Sequence, residues 1–253
     1  MTFEQSVSWW CFQRADIDEI DLITTIKDIG YPAVELMPVD KFQLAIDHGL
    51  KIVTHGLHAP LEQGVSHTKY WDDIKRQSDK NLELAVKWNI PNMIVFSGNR
   101  EGLDDETGAE NAIKHLEILG KDAESAGIML ILELLNSKVN HIDYQCDKTE
   151  WGVKVVSAVD SPNVRLLYDI YHMQVMEGDI IQTIRDNHQW FAHYHTAGVP
   201  GRNEIDDSQE LNYRPICQAM DETGYTGYLG QEFIPTKDWK ASLKYAFDIC
   251  NVG

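Results

Sequence analysis

Short, nearly unbroken apolar segments alternate with stretches of helical period about eight times along this chain, and no other feature limits the fold as much. The apolar segments lie at residues 5–9, 33–36, 51–57, 93–97, 129–134, 164–169, 191–195 and 227–232. A half-exposed strand would alternate apolar with polar residues. A continuous apolar run is what a parallel strand needs when helices cover one face and packed side chains fill the other. Between the runs, helical period is clearest at 105–126, where Ala112, Leu116, Leu119, Ala123 and Ala126 recur at three- and four-residue steps. The stretch 18–29 ends at Gly30, a residue suited to closing a helix. Further helices are expected at 71–88, 150–159, 179–190, 211–222 and 237–249. Such a repeat over 253 residues predicts a single α/β domain, residues 1–253, folded as a (β/α)8 barrel. An open, doubly wound sheet is the alternative. No Gly-x-Gly-x-x-Gly follows the first strand and no Walker-type loop occurs, so a nucleotide cofactor finds no support.

Charge and cysteine usage narrow the partners. Forty acidic residues against 22 basic give a net charge of −18, which disfavours nucleic acid and anionic membrane surfaces. Any anionic substrate must therefore meet a local cationic group. Cys11, Cys146, Cys217 and Cys250 are scattered and form no C-x-x-C pair, so they are expected to be reduced and mostly buried. The first residues lack a basic and then apolar leader, and no apolar run approaches the ~18 residues of a membrane span. The chain reads as a soluble, cytoplasmic protein.

Four residues able to bind metal or move protons, Glu133, Asp169, His195 and Glu232, each close a separate predicted strand. In a parallel barrel the carboxyl ends of all strands meet on one face, so these four are expected to converge. Glu133 and Glu232 could each instead cap the next helix or pair with a lysine. Asp169 and His172 can point into one pocket if the turn between them is helical, and His193 and His195 share a strand face. His55 and His58 lie near the end of the third strand, where a substrate contact and a structural role both fit. A carboxylate-rich set with one imidazole suits Mn²⁺, Mg²⁺ or Co²⁺ better than a structural Zn²⁺ site. Two carboxylates flanking a substrate can remove and return a proton while a metal stabilises the enediolate, the chemistry of aldose–ketose isomerisation and of epimerisation beside a carbonyl. No Gly-x-Ser-x-Gly or Cys/His/Asn set offers a nucleophile instead.

The chain resembles the hydroxypyruvate isomerase family of the xylose-isomerase-like TIM-barrel superfamily. The likeness is carried by Leu132-Glu133-Leu134-Leu135-Asn136, by Tyr168-Asp169-Ile170-Tyr171-His172-Met173-Gln174 with Met176-Glu177-Gly178, by Pro200-Gly201-Arg202-Asn203-Glu204 with Leu211-Asn212-Tyr213, and by Gly230-Gln231-Glu232-Phe233. The resemblance implies that Glu133 and Glu232 are the acid/base pair and that Glu133, Asp169, His195 and Glu232 hold a divalent metal. It also implies interconversion of hydroxypyruvate and tartronate semialdehyde, or of a related small hydroxy-carbonyl compound. At one place the chain departs: members closest to the bacterial hydroxypyruvate isomerases tend to have Gln where His195 stands, whereas related ketose 3-epimerases have His. That strengthens metal binding and weakens a three-carbon acid as the substrate. Arg202 is the counterweight, since its planar fork can grip a substrate carboxylate; pairing with Glu204 or Asp206 is the plain alternative. His172 is expected to hydrogen-bond a substrate oxygen, and Trp9, Trp10 and Phe12 to wall the pocket, with core packing accounting for at least one of the three.

A metal-assisted isomerase of a small hydroxy-carbonyl acid is therefore the leading expectation. Its competitors are a ketose 3-epimerase or other sugar isomerase, a barrel that binds a sugar acid without catalysis, and a metal-dependent abasic-site nuclease, which the charge disfavours. The expected partner is a small molecule. Tyr144, Trp151 and Tyr213 are placed in loops, where they could support a homo-oligomer or pack locally.

Overall fold

Nine strands and nine α-helices follow one another in the computed structural model, which describes residues 1–253. In chain order they are β1 (Glu4–Ser8), α1 (Glu19–Ile29), β2 (Ala33–Glu35), α2 (Phe42–Asp47), β3 (Lys51–Ile52), β4 (Thr54–Gly56), α3 (Trp71–Trp88), β5 (Asn92–Val95), α4 (Asp105–Ala126), β6 (Met129–Glu133), α5 (Thr149–Val159), β7 (Val164–Asp169), α6 (Ile170–Met176), α7 (Ile180–Asn187), β8 (Phe191–Thr196), α8 (Tyr213–Glu222), β9 (Tyr228–Gln231) and α9 (Trp239–Cys250).

Local chemistry sets these boundaries. Asp18 accepts hydrogen bonds from the N–H groups of Ile20 and Asp21 and so starts α1, and Gly30, at φ 112°, closes it. Asp104 caps α4 through the N–H of Thr107, and Gly127, at φ 68°, ends it. Along α4 the predicted stripe Ala112, Leu116, Leu119 and Ala123 is buried, and Ala126 at the last turn is half-exposed. The third predicted strand is broken: Lys51–Ile52 pairs with β2, Thr54–Gly56 pairs with β5, and Val53 lies between the two pieces. That one break accounts for the ninth strand.

Two compact units can be distinguished. In the first, residues 1–53, 179–188 and 193–253, the strands lie in the order β3-β2-β1-β9-β8, with parallel pairing throughout. In the second, residues 54–178 and 189–192, the order is β7-β6-β5-β4, again parallel. Strands β5, β6 and β7 are buried along almost their whole length, as parallel strands covered on both faces must be. All four cysteines are free and buried. No helix is long and apolar enough to cross a membrane.

The three aromatic residues offered as an association surface are not available for one. Tyr144 (0% exposed) holds the N–H of Ser97 and the carbonyl of Glu133 through its hydroxyl, while Trp151 lies in α5 and donates to the carbonyl of Asp105. Tyr213 opens α8 and bonds Ala197 with the same group. Each aromatic body fills the core while its polar tip closes a backbone bond, so local packing is the correct reading.

Candidate active site

In the first unit β2 ends on Glu35, β8 carries His193 and His195 on one face, and Glu232 follows β9 directly. Glu35, His193 and His195 are completely buried, and Glu232 is 3% exposed. Register explains how they fit: Ser8 pairs with Glu35 and His195 with Gly230. A Cβ on Gly230 would lie 2.0 Å from Glu35 Oε1 and 2.8 Å from His195 Cδ2, so only glycine leaves room for both side chains.

Glu35 sits among donors. Ser6 Oγ donates to its Oε1 at 2.7 Å, while Oε2 lies 2.8 Å from His193 Nε2 and 3.3 Å from His195 Nε2. Burial works to raise the proton affinity of this carboxyl. The two imidazoles outweigh it and hold Glu35 well below the usual carboxylate range. One ligand atom from each of Glu35, His193 and His195 lies within 4.8 Å of the others, so this buried cluster has the composition of a cation site.

Glu232 collects a second set of partners. Trp10 Nε1 donates to Oε1 at 2.9 Å, Arg202 donates from its guanidinium to Oε2 at 2.6 Å, and His195 Nδ1 is 3.1 Å from Oε2. Burial opposes ionisation of Glu232, but the charges of His195 and Arg202 prevail and hold its carboxyl well below the ordinary value. Arg202 is itself an unusual residue. It adopts φ 60°, a left-handed conformation that costs a non-glycine residue about 1–3 kcal/mol, and backbone bonds to Gly198 and Ile234 hold it there. Its guanidinium lies 5.2 Å from the centre of the Trp10 ring.

Arg202 thus pairs with neither Glu204 nor Asp206. Glu204 instead accepts from Thr236 N, Thr236 Oγ1 and Lys237 N, and Asp206 pairs with Lys237. Of the three aromatics after β1, Trp9 and Phe12 are core residues, and Trp10, 37% exposed, is the one that reaches the site.

In the second unit β6 ends on Glu133 and β7 on Asp169, both buried. The turn after Asp169 is helical, as the Asp-x-x-His spacing required: Asp169 Oδ1 caps α6 by accepting from His172 N at 2.9 Å. The backbone N–H of Asn136, which can only donate, points at His172 Nδ1 at 3.1 Å, and Asn136 Nδ2 lies 2.6 Å from the same atom. His172 Nδ1 must therefore be the acceptor, which leaves the ring proton of the neutral imidazole on Nε2, 3.8 Å from Asp169 Oδ2. His58 obeys the same logic. Phe96 N donates to its Nε2 at 3.2 Å, and burial pushes its pKa down to about 4, so the ring is neutral with its proton on Nδ1.

Glu35 is the residue that sequence reasoning passed over. Its signal in the sequence is a carboxylate near the end of an apolar strand, as with Glu133 and Glu232, but Glu35 falls inside the run 33–36 and nothing local to it marks a site.

The chain matches the xylose isomerase-like TIM-barrel family over residues 23–249, and it belongs to that family. The barrel predicted from the eightfold repeat is therefore the fold of its relatives. Among these, the 2-oxo-tetronate isomerase of Haemophilus influenzae is 32% identical over 226 residues, 85% of this chain and 83% of its own. A Xenopus laevis protein provisionally named hydroxypyruvate isomerase is 33% identical over 134 residues, 53% of this chain and 47% of that protein. A crystal structure described as AP endonuclease, family 2, from Brucella melitensis is similar with a TM-score of 0.86 and 24% identity over 97% of this chain and 98% of that one. That likeness speaks to fold alone. The sequence relatives are isomerases by name, the enzyme class that the strand-end carboxylates had indicated.

Proposed function

We propose that the chain is a divalent-metal isomerase of a small hydroxy-carbonyl acid, in which Glu133 and Glu232 move a proton between neighbouring carbons. The metal ligands in this reading are Glu133, Asp169, His195 and Glu232; each is buried and each offers one ligand atom. The donor chemistry fits a cation. His195 Nδ1 and Glu232 Oε2 lie 3.1 Å apart with both side chains buried, so the pair is held together either by a shared proton or by a cation that takes the proton's place. When bound, the ion supplies Lewis-acid stabilisation of the oxygen charge that builds up during proton transfer. Mn²⁺, Mg²⁺ and Co²⁺ all suit this set.

The observation that carries the reading is Arg202 on Glu232. A base held beside a guanidinium is ionised but weak. An incoming substrate carboxylate gives Arg202 a competing partner, and its transfer to the substrate raises the proton affinity of Glu232 as the acid arrives. Glu232 would then remove the proton from the hydroxyl-bearing carbon beside the carbonyl. Glu133, entering the step protonated from solvent, would deliver one to the former carbonyl carbon, and the hydroxyl proton would pass to the former carbonyl oxygen. This leaves Glu232 protonated and Glu133 ionised until solvent exchange resets both. His172 Nε2–H and His58 Nδ1–H donate to substrate oxygens, and Trp10 covers the carbon chain. The names of the relatives agree with an acid of this kind, since hydroxypyruvate and 2-oxo-tetronate are both 2-oxo acids with a hydroxyl beside the carbonyl.

The test is a substrate screen with Mn²⁺, Mg²⁺ and Co²⁺, with hydroxypyruvate, 2-oxo-tetronate and C3 to C6 ketoses followed by NMR in D₂O. Deuterium is expected at the carbon beside the carbonyl of an acid. Exchange confined to neutral ketoses would move the assignment to a ketose 3-epimerase, and exchange with none would favour a barrel that only binds.

A further inference from the structure

We infer that Glu35 is a positioning residue for the metal site: it fixes His195 in the tautomer whose Nδ1 lone pair faces Glu232. The inference rests on the metal-isomerase reading above, and it goes beyond that reading because Glu35 is neither a ligand nor an acid or base in it.

A carboxylate can only accept. Glu35 Oε2 lies 2.8 Å from His193 Nε2 and 3.3 Å from His195 Nε2, so both imidazoles must present N–H to it from their Nε2 atoms. For a neutral His195 this leaves the lone pair on Nδ1, the nitrogen 3.1 Å from Glu232 Oε2. Glu35 cannot turn away, because Ser6 Oγ donates to its other oxygen at 2.7 Å and the backbone at Gly230 closes the space behind it. His193 holds the carboxylate through the same Oε2, at 2.8 Å. The group is also completely buried, so no water competes for His195 Nε2. A carboxylate behind a ligating imidazole fixes its orientation and raises its basicity, and loss of such a support typically weakens metal binding about 10–100-fold.

Mn²⁺ titration of metal-stripped wild type, Glu35→Gln, His195→Ala and Glu133→Gln by calorimetry, together with ring ¹⁵N NMR of His195 in the metal-free protein, tests this. Glu35→Gln keeps shape and removes charge. We expect one ion per chain, an affinity at least about tenfold lower in Glu35→Gln, and an Nε2–H resonance for neutral wild-type His195. An Nδ1–H tautomer in the wild type would overturn the inference, and this readout needs no variant that folds. So would an unchanged affinity in Glu35→Gln while His195→Ala loses binding. Two ions in the wild type and one in Glu35→Gln would make Glu35 a ligand of a second ion and overturn it as well. Failure of the underlying reading looks different: neither His195→Ala nor Glu133→Gln would then change Mn²⁺ affinity.

Discussion

At single residues, the proposed chemistry depends on charge placed where proton transfer needs it. Glu133→Gln and Glu232→Gln each remove one transfer group without changing volume, and kcat should fall by about 10²–10⁴ in either variant. Steady-state rates with the preferred acid check this, and an exchange rate at the wild-type level in either variant would remove that residue from the pair. Arg202→Ala should raise KM for an anionic substrate about 10–100-fold, the worth of a charge-assisted bond, and change KM for a neutral ketose little. Equal KM effects on both substrates would leave Arg202 as a partner of Glu232 alone. The proposed ligands Glu133, Asp169, His195 and Glu232 stand out in the sequence because each lies at the end of a strand-like run as a group that has no packing reason to be there. Glu35 does the same, but its meaning lies in His193, 158 positions away, and only strand register brings the two together.

Among the elements, α6 joins structure to site most directly, since Asp169 both caps it and stands among the proposed ligands. Asn is as good an N-cap as Asp, so Asp169→Asn should keep thermal stability within about 0.5 kcal/mol of wild type while losing Mn²⁺ affinity. A large loss of stability would show that the charge serves the fold. Glu204 makes a different demand, because its carboxylate ties 203–206 to 236–237 through two backbone N–H groups and a hydroxyl. Burial raises its pKa, but those hydrogen bonds win and lower it. A depressed folded pKa contributes stability that is present above the unfolded value of about 4.3 and is lost as pH falls through the folded value. Glu204→Gln should therefore cost about 2 kcal/mol at pH 7, with the gap from wild type closing on acidification below pH ~4. Parallel melting curves across pH measure it, and a gap that widens on acidification contradicts the assignment. Long periodic helices such as α3 and α4 were legible to the residue. Helices α2 and α6 span six and seven residues, too short for a period to declare itself, and the break at Val53 follows from pairing with two different neighbours, which a single apolar run does not encode.

On the scale of the whole molecule, a net charge of −18 repels the anion that Arg202 is proposed to receive. Screening that field should raise kcat/KM for the acid as ionic strength climbs from about 10 to 200 mM, with little change for a neutral ketose. A fall with salt would place attractive long-range charge at the entrance instead. The eightfold alternation was enough to predict the barrel, because parallel strands covered on both faces leave few other arrangements. The sequence did not show which side chains fill the space behind the ligands, since Gly230 appears there only as a missing side chain.

In the proposed reading Glu133 and Glu232 serve one cation and one substrate. Anomalous diffraction from crystals grown with Mn²⁺ tests it most directly. A single strong peak is expected, with Glu133, Asp169, His195 and Glu232 each at about 2–2.5 Å; a peak touching only one of the two glutamates, or separate peaks for each, would refute the shared site.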